Sequence, residues 1–361
     1  MIEEGIEFAV PKRVFYNPNM TFSRSLSSLA VGAIGKPLEI CDGFCASGIR
    51  GIRYAKENKN VKQITFVDIE KKAVSGAKKN AKKAKIKSKT IQGNISRCVF
   101  DIIADFFELD PFGTPAPYLY DSFRTFNPKK TAYLSVTATD VAVLCGGKTK
   151  ACMKNYHSRP LNNEFTHENG LRIMIKKTAE TAAEFNMGIR PLVSVSDRHY
   201  LKSILEVKRS AELAWESMNS LGYIEFCPKC GFREKIKFPE GKCKNCRAKT
   251  DYAGPLWLGE LHDSTFLKKM EELNSRRNYS QKREIKKMLE LLKGETGMPP
   301  YYYNVHILSR RFCRGYVPRI EQLIEKLKKK GFMASRTHFS PVSIKTNAPY
   351  RTLARLLSVH K

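Results

Sequence analysis

No apolar run in this 361-residue chain approaches the roughly 18 residues that a membrane-spanning helix needs. The amino terminus, Met1-Ile2-Glu3-Glu4, is acidic and leads straight into Pro11, so it does not read as a secretory signal. Internal repeats and low-complexity tracts are also missing. Acidic residues are scarce, 35 against 64 Lys and Arg, which leaves a net charge of +29. A Lys-rich thermophile surface gains Glu along with Lys, so the imbalance points instead to a polyanionic partner, nucleic acid above all. These absences predict a soluble protein with no membrane partner; no obligate protein partner is inferred.

What is present is globular in composition, with 42% hydrophobic and 10% aromatic residues. The length suggests two or three folded units. Ten cysteines occur, but four fall in paired Cys-x-x-Cys sets in a long chain without a secretory signal, which fits a reducing cytoplasm better than a disulfide scaffold.

From Leu38 to about Val207, short β-branched runs alternate with amphipathic stretches, the pattern of βα units around a largely parallel sheet. Strands are expected at Leu38–Asp42, Gln63–Asp68, Ile102–Asp110 and Thr131–Thr137, with helices at Ser47–Asn58, Lys71–Lys85 and Glu164–Phe185. Ile189–Ser196 and Tyr200–Val207 read as a terminal antiparallel hairpin. The expected organisation is an α/β, Rossmann-like domain over residues 1–208, a cysteine module over 209–262 and a basic domain over 263–361. The last of these has helices followed by a short β pair, which suggests a winged helix. It carries 22 basic and 8 acidic residues, a net of +14.

The glycine-rich turn Cys41-Asp42-Gly43-Phe44-Cys45-Ala46-Ser47-Gly48-Ile49-Arg50-Gly51 follows a predicted strand and opens a helix, where backbone must approach a ligand closely. Its spacing is not the Gly-x-Gly-x-x-Gly that seats a dinucleotide pyrophosphate. Asp68 ends the next strand, about 20 residues on, where a carboxylate can accept both hydroxyls of a ribose. A nucleoside without phosphates, such as S-adenosylmethionine, suits the pattern. Gly146-Gly147-Lys148-Thr149 lacks the earlier glycine of a phosphate-binding loop and reads as an ordinary loop.

Leu109-Asp110-Pro111-Phe112-Gly113 ends a later strand on the same sheet edge. An exocyclic base amine is a poor nucleophile because its lone pair is delocalised into the ring, so methylating it requires acceptors that hold and polarise the NH₂. The Asp110 carboxylate and the Pro111 carbonyl can be those acceptors, and Phe112 offers a face on which the base stacks. A capped turn with Phe112 in the core is the plainer alternative for this motif in isolation.

Cys227-Pro228-Lys229-Cys230 and Cys243-Lys244-Asn245-Cys246 give two Cys-x2-Cys turns twelve residues apart, the spacing of a closed, structural tetrahedral zinc site, with iron a smaller rival. The remaining cysteines, Cys41, Cys45, Cys98, Cys145, Cys152 and Cys313, lack metal spacing and read as core. In the basic tail, Arg310-Arg311, Arg314, Arg319, Lys326, Lys328-Lys329-Lys330, Arg336 and Lys345 are interleaved with Phe312, Tyr316 and Phe339, as in a phosphate-contacting surface. Packing or phosphate contacts are expected of His306 and His338.

Taken together, these motifs resemble those of the archaeal-type tRNA (guanine-26-N2)-dimethyltransferases, class I enzymes that use S-adenosylmethionine. The resemblance rests on Val14–Pro18, Arg24, Ala46–Arg53, Leu109–Gly113, Val136–Asp140, His167-Glu168, Gly254–Gly259 and Arg336–Pro341, spread over nearly the whole chain. It implies transfer of methyl groups to N2 of guanine 26 in tRNA, giving the mono- and dimethylated base. It implies that Arg24, Arg50 and Asp68 contact the cofactor, alongside Gly48, and that Asn94 and Ile95 stand at its adenine. Phe15 and Phe112 would hold the guanine between them, with Asp110 orienting the amine and receiving its proton.

The chain departs from the family pattern at Ser23 and Ser25, where Asn and Asp usually flank the arginine, and at Asn94, where an acid is usual. Glu108 also replaces an Asp, and it is expected to face away from the cleft. The alternatives are a methyltransferase for another base amine, adenine N6 or a different tRNA guanine, and a non-catalytic zinc-ribbon and winged-helix protein that binds nucleic acid.

Overall fold

The computed structural model describes residues 1–313 and 317–358, so Arg314 and Tyr316 of the basic tail lie outside the described residues. A two-stranded hairpin, β1 (Ile2–Glu3) and β2 (Ile6–Glu7), precedes helix α1 (Thr21–Ile34). Seven strands then form one sheet: β3 (Leu38–Asp42), β4 (Val61–Asp68), β5 (Ser88–Gln92), β6 (Phe106–Leu109), β7 (Ala132–Ala138), β8 (Met187–Asp197) and β9 (Tyr200–Arg209). Their order is β5-β4-β3-β6-β7-β9-β8. The first five are parallel, and the hairpin β8–β9 adds antiparallel to β7.

Helices cover both faces, so β6 and β7 are buried at every residue and read as near-continuous apolar runs. On one face α1 and α2 (Ile49–Glu57) pack Leu26, Leu29 and Ile52 against Ile40, Ile64 and Phe106. On the other, the helix Thr166–Glu184 brings Leu171 and Ile175 to Leu134 and Leu205. The expected α/β, Rossmann-like arrangement is therefore present. One strand is shorter than its sequence suggests: residues 99–101 close a tight turn, and Ile103 is 73% exposed, so β6 begins only at Phe106.

β10 (Leu221–Phe226), β11 (Arg233–Ile236) and β12 (Asp251–Trp257) make a separate antiparallel sheet, with β10 in the middle. The helices Ser264–Arg276 and Lys282–Glu295 then return to α1, where Leu267, Met270 and Leu289 join the same core as Leu26 and Leu29. Beyond them come β13 (Tyr303–Asn304), the helices Val305–Phe312 and Ile320–Lys329, β14 (Ala334–Thr337), β15 (Ser340–Thr346) and the helix Tyr350–Ser358. Helix 282–295, one short strand, two helices and a β pair follow the winged-helix order.

The wing is not free. β8 is an edge strand whose outward N–H groups need acceptors. Ser196 N–H donates to His338 Nε2 at 3.1 Å and Ser194 N–H to His262 Nδ1 at 3.3 Å. The opposite ring nitrogens face Glu295, with His338 Nδ1 at 2.8 Å from Oε1 and His262 Nε2 at 3.8 Å from Oε2. Each imidazole accepts on one side, so the nitrogen facing the carboxylate carries the hydrogen. His338 thus serves in packing. Lys345 is buried and bonds Glu168 at 2.6 Å, so it is not the phosphate contact expected of it, and the half-buried Arg336 is paired with Glu321. Among the described residues no helix is long and apolar enough to cross a membrane.

Candidate active site

A cavity of about 1370 Å³ opens at the carboxyl ends of β3, β4 and β6. Ligand sites of 300–1,000 Å³ are usual, so this one has room for a nucleoside cofactor and a second heterocycle together. Phe15, Arg24, Arg50, Asp68, Asp110, Pro111 and Phe112 all line it, having come from four separate stretches of chain.

Asp68 ends β4, and its two oxygens accept the N–H groups of Ala46 at 2.9 Å and Glu70 at 3.0 Å. This ties the strand end to the glycine-rich turn. Gly48 is required by geometry: its φ is +77°, and a Cβ there would stand 2.9 Å from the Ala77 Cβ. It shapes the turn without lining the cavity. Asn94 and Ile95 are likewise off the cavity wall. The Asn94 side chain accepts from Ser96 N–H to cap a short helix, and Ile95 is in the core.

Arg50, in the first turn of α2, reaches across the sheet edge to Asp110, with Nη2 at 2.5 Å from Oδ2. Burial alone would raise the Asp110 carboxyl, but the Arg50 and Lys202 cations hold it below the ordinary carboxylate range. Glu108 does not face away from this cluster. It lies two residues before Asp110, so the two side chains project to the same side of the strand. It is fully buried, 3.8 Å from Arg50 Nη1 and 2.5 Å from Lys202 Nζ, and it accepts the Tyr54 hydroxyl at 2.7 Å.

Asp42, at the end of β3, was legible as a strand-ending acid but had no role in the sequence pattern. It lines the cavity beside this cluster, and burial, together with the nearby Glu108 and Asp110 charges, pushes its carboxyl up to about 7 against the pull of Arg50. Asp197 and Tyr200, at the turn of the β8–β9 hairpin, also line the cavity and carried no motif.

Arg24 is held by Glu3, through Nε at 2.7 Å and Nη2 at 2.5 Å, and by the Asn17 carbonyl; Nη1 has no partner among the described residues. Arg53 Nη1 also reaches Glu3 at 2.9 Å, and its Nη2 takes the Ser25 hydroxyl at 2.8 Å, so Ser25 is used within the protein. These contacts anchor the amino-terminal segment that carries Phe15. Phe15 and Phe112 touch edge to face, with ring centroids 4.8 Å apart at 86°, and are 53% and 75% exposed.

Outside the cavity, the four paired cysteines converge, with Cys227 Sγ 3.5 Å from Cys246 Sγ and Cys230 Sγ 3.6 Å from Cys243 Sγ. A tetrahedral zinc with bonds of about 2.3 Å separates its sulfurs by about 3.8 Å, so the four thiols fit such an ion. Cys41, Cys45, Cys98, Cys152 and Cys313 are buried, and Cys145 is half-buried with Sγ 3.6 Å from His167 Nδ1.

A family model described as N2,N2-dimethylguanosine tRNA methyltransferase matches residues 1–358. The tRNA (guanine(26)-N(2))-dimethyltransferase of Methanobrevibacter smithii is 34% identical over 95% of this chain and 91% of its own length. That of Pyrococcus abyssi is 35% identical over 96% and 93%. Among solved structures, Trm1 from Pyrococcus horikoshii with S-adenosyl-L-methionine superposes with a TM-score of 0.89 at 29% identity, over 98% of both chains.

Proposed function

The chain belongs to the N2,N2-dimethylguanosine tRNA methyltransferase family, and from that premise we propose how its own residues carry the family's reaction. The protein is a tRNA (guanine-26-N2)-dimethyltransferase dependent on S-adenosylmethionine. The observation that carries the assignment of roles is the Asp110 carboxylate, held by Arg50 in the same cavity as Asp68, Phe15 and Phe112.

Bound S-adenosylmethionine supplies an electrophilic methyl group and leaves as the thioether. Asp68 accepts the ribose hydroxyls, and the unpartnered Nη1 of Arg24 receives the carboxylate of the methionine portion. Arg50 assists from the other side. Asn94 and Ile95, which the family resemblance puts at the adenine, lie behind the cavity wall, Asn94 capping a short helix and Ile95 in the core. Phe15 and Phe112 hold the guanine. A base between two parallel rings needs a gap of about 7 Å, twice the ~3.5 Å of carbon contact, so the rings must turn out of their present edge contact as it enters.

Arg50 engages Asp110 Oδ2, which offers Oδ1 to an N2–H of the base, while the Pro111 carbonyl accepts the other. Polarised in this way, the N2 lone pair attacks the methyl carbon and the carbon–sulfur bond breaks. The alkylated nitrogen is then cationic and acidic, so even a carboxylate kept weakly basic by Arg50 and Lys202 can take its proton. One N–H remains for the second transfer. Extruding the base costs a few kcal/mol, least at a weakly paired junction.

Residues 1–208 carry this chemistry, residues 209–262 hold a structural zinc on Cys227, Cys230, Cys243 and Cys246, and residues 263–361 contribute the surface for tRNA. Helices 264–276 and 282–295 tie the last unit to α1. Zinc-bound thiols fit a reducing cytoplasm. The test is incubation of the purified protein with labelled S-adenosylmethionine and unmodified tRNA, followed by nucleoside mass spectrometry. N2-methyl- and N2,N2-dimethylguanosine at position 26 are expected; methylated adenine, or a different guanine alone, would overturn the assignment.

A further inference from the structure

A winged helix ordinarily meets nucleic acid through the second helix of its helix-turn-helix pair, here Ile320–Lys329, and through its wing. Here the wing is closed. The tip of the β14–β15 hairpin carries His338, whose ring is consumed by Ser196 N–H and Glu295. The helix Ile320–Lys329 is interleaved with acid: Glu321 is paired with Arg336, and Glu325 with Lys329 at 3.0 Å. Glu321 and Glu325 cancel part of the positive potential of that face, so it attracts a polyanion less than a basic face without acids does.

The opposite pattern occurs where the cysteine module meets the carboxyl-terminal helices. Arg311 Nη2 donates to the Pro228 carbonyl at 3.5 Å and the Tyr350 hydroxyl donates to the Cys230 carbonyl, so helices 305–312 and 350–358 both seat on the first cysteine turn. Phe232 and Phe312 each pack on the Tyr350 ring, at 5.9 and 5.8 Å. The second cysteine turn is held to the first through the thiol cluster. The two turns, 227–231 and 243–247, and the two helices contain no acidic residue. Lys229, Arg247, Arg310, Arg351 and Arg355 are exposed there, and none has a carboxylate partner among the described residues, whereas Lys244 of the second turn is paired with Glu234 and Glu240.

We propose that this face, the cysteine turns together with helices 305–312 and 350–358, is where the protein grips the phosphate backbone of its RNA, in place of the wing and the helix 320–329. The inference rests on the reading of the protein as a tRNA methyltransferase and deepens it by locating the RNA. Charge complementarity selects the occupant: uncompensated guanidinium groups on a rigid support suit closely spaced phosphates, and each such contact releases counterions. The cysteine turns act as the support that keeps Lys229 and the helix arginines in one body.

The experiment compares two triple variants of the full chain, Lys229→Gln/Arg310→Gln/Arg351→Gln and Lys328→Gln/Lys329→Gln/Lys330→Gln, which remove the same charge from the two rival faces. Binding of unmodified tRNA transcript is measured across a salt series, with thermal unfolding, zinc content and S-adenosylmethionine binding as checks of integrity. The first variant should bind at least about tenfold more weakly at 0.15 M salt, with the slope of log affinity against log salt reduced in magnitude by about 2 to 3. Its KM for tRNA should rise with kcat little changed, and the second variant should match the wild type. Equal losses in both variants, a loss confined to the second, or no loss in either would overturn the proposal. Wild-type methylation of the same transcript tests the enzymatic reading separately, so a failure of the face leaves that reading distinguishable.

Discussion

Arg50 Nη2 stands 2.5 Å from Asp110 Oδ2, joining the first turn of α2 to the end of β6 across the floor of the cavity. Behind this pair Glu108 and Lys202 form a second buried pair at 2.5 Å, so the carboxylate at the strand end is held by charges that cannot rotate away. The arrangement keeps Asp110 ionised and aimed, which is what an amine-orienting acceptor needs.

Asp110→Asn keeps the side-chain shape and removes the charge. It should lower the single-turnover methyl-transfer rate by about 10² to 10⁴, the range of a lost general base, with S-adenosylmethionine affinity within a few-fold of wild type. Arg50→Lys loses the fork that spans Asp110 and Glu108 and should fall between the two. Wild-type rates for Asp110→Asn at saturating tRNA would remove Asp110 from the chemistry.

Phe112 is 75% exposed, so its truncation should leave thermal unfolding nearly unchanged. A stacked base is worth about 1–3 kcal/mol by alanine substitution, so Phe112→Ala should cut kcat/KM for tRNA by roughly 5- to 150-fold. Phe15→Ala should behave alike, and Phe112→Tyr should restore most of the loss. Steady-state kinetics at varied tRNA decide it; an unchanged kcat/KM in both alanine variants rules out the sandwich.

Asp42 should make cofactor binding pH-dependent. Its carboxyl sits at about 7 in the folded protein against 3.8 ordinarily, so it favours the protonated form near neutrality. That preference adds stability at low pH and is lost as pH rises through 7. S-adenosylmethionine carries two cationic groups, and ionising Asp42 beside them is favourable. Binding should therefore release a proton at pH 6–7 and tighten towards pH 8. Calorimetry in buffers of differing ionisation enthalpy reads the proton directly, and Asp42→Asn should abolish both effects.

The contact of His262 with β8 should loosen in acid. Burial holds its imidazole below 6.5. The unfolded chain therefore takes up the proton first, and stability falls as pH drops below 6.5. His262→Asn keeps a side-chain acceptor for Ser194 N–H and should flatten the dependence of unfolding free energy on pH between 7 and 5.5. Protection factors at residues 334–346, corrected for the intrinsic slowing of amide exchange in acid, should fall in wild type over the same interval; identical pH slopes in the two proteins would contradict this account.

Much of the site was legible because its residues sit at strand ends. Short apolar, β-branched runs located β3, β4 and β7, and the acids Asp42, Asp68 and Asp110 close or immediately follow β3, β4 and β6. β5 was not legible: Ser88–Gln92 is an edge strand whose residues are exposed or half-buried, so no apolar run marks it. Glu108 was misjudged for a local reason, since residues two apart on a strand share a side. Asp197 and Tyr200 carried no motif and reach the cavity only because the β8–β9 hairpin folds back beside β7.

By itself the sequence determined the βα alternation, the glycine-rich turn, the Asp-Pro-Phe-Gly strand end and the pairing of four cysteines, because each depends on neighbours within about a dozen residues. Only the tertiary structure decided which cations are already spoken for. Arg24 meets Glu3, Lys345 meets Glu168 and the wing histidine meets Glu295, over separations of 21, 177 and 43 residues. Charge along a chain is additive and readable, whereas its availability to a partner depends on which opposite charge the fold brings within hydrogen-bonding distance.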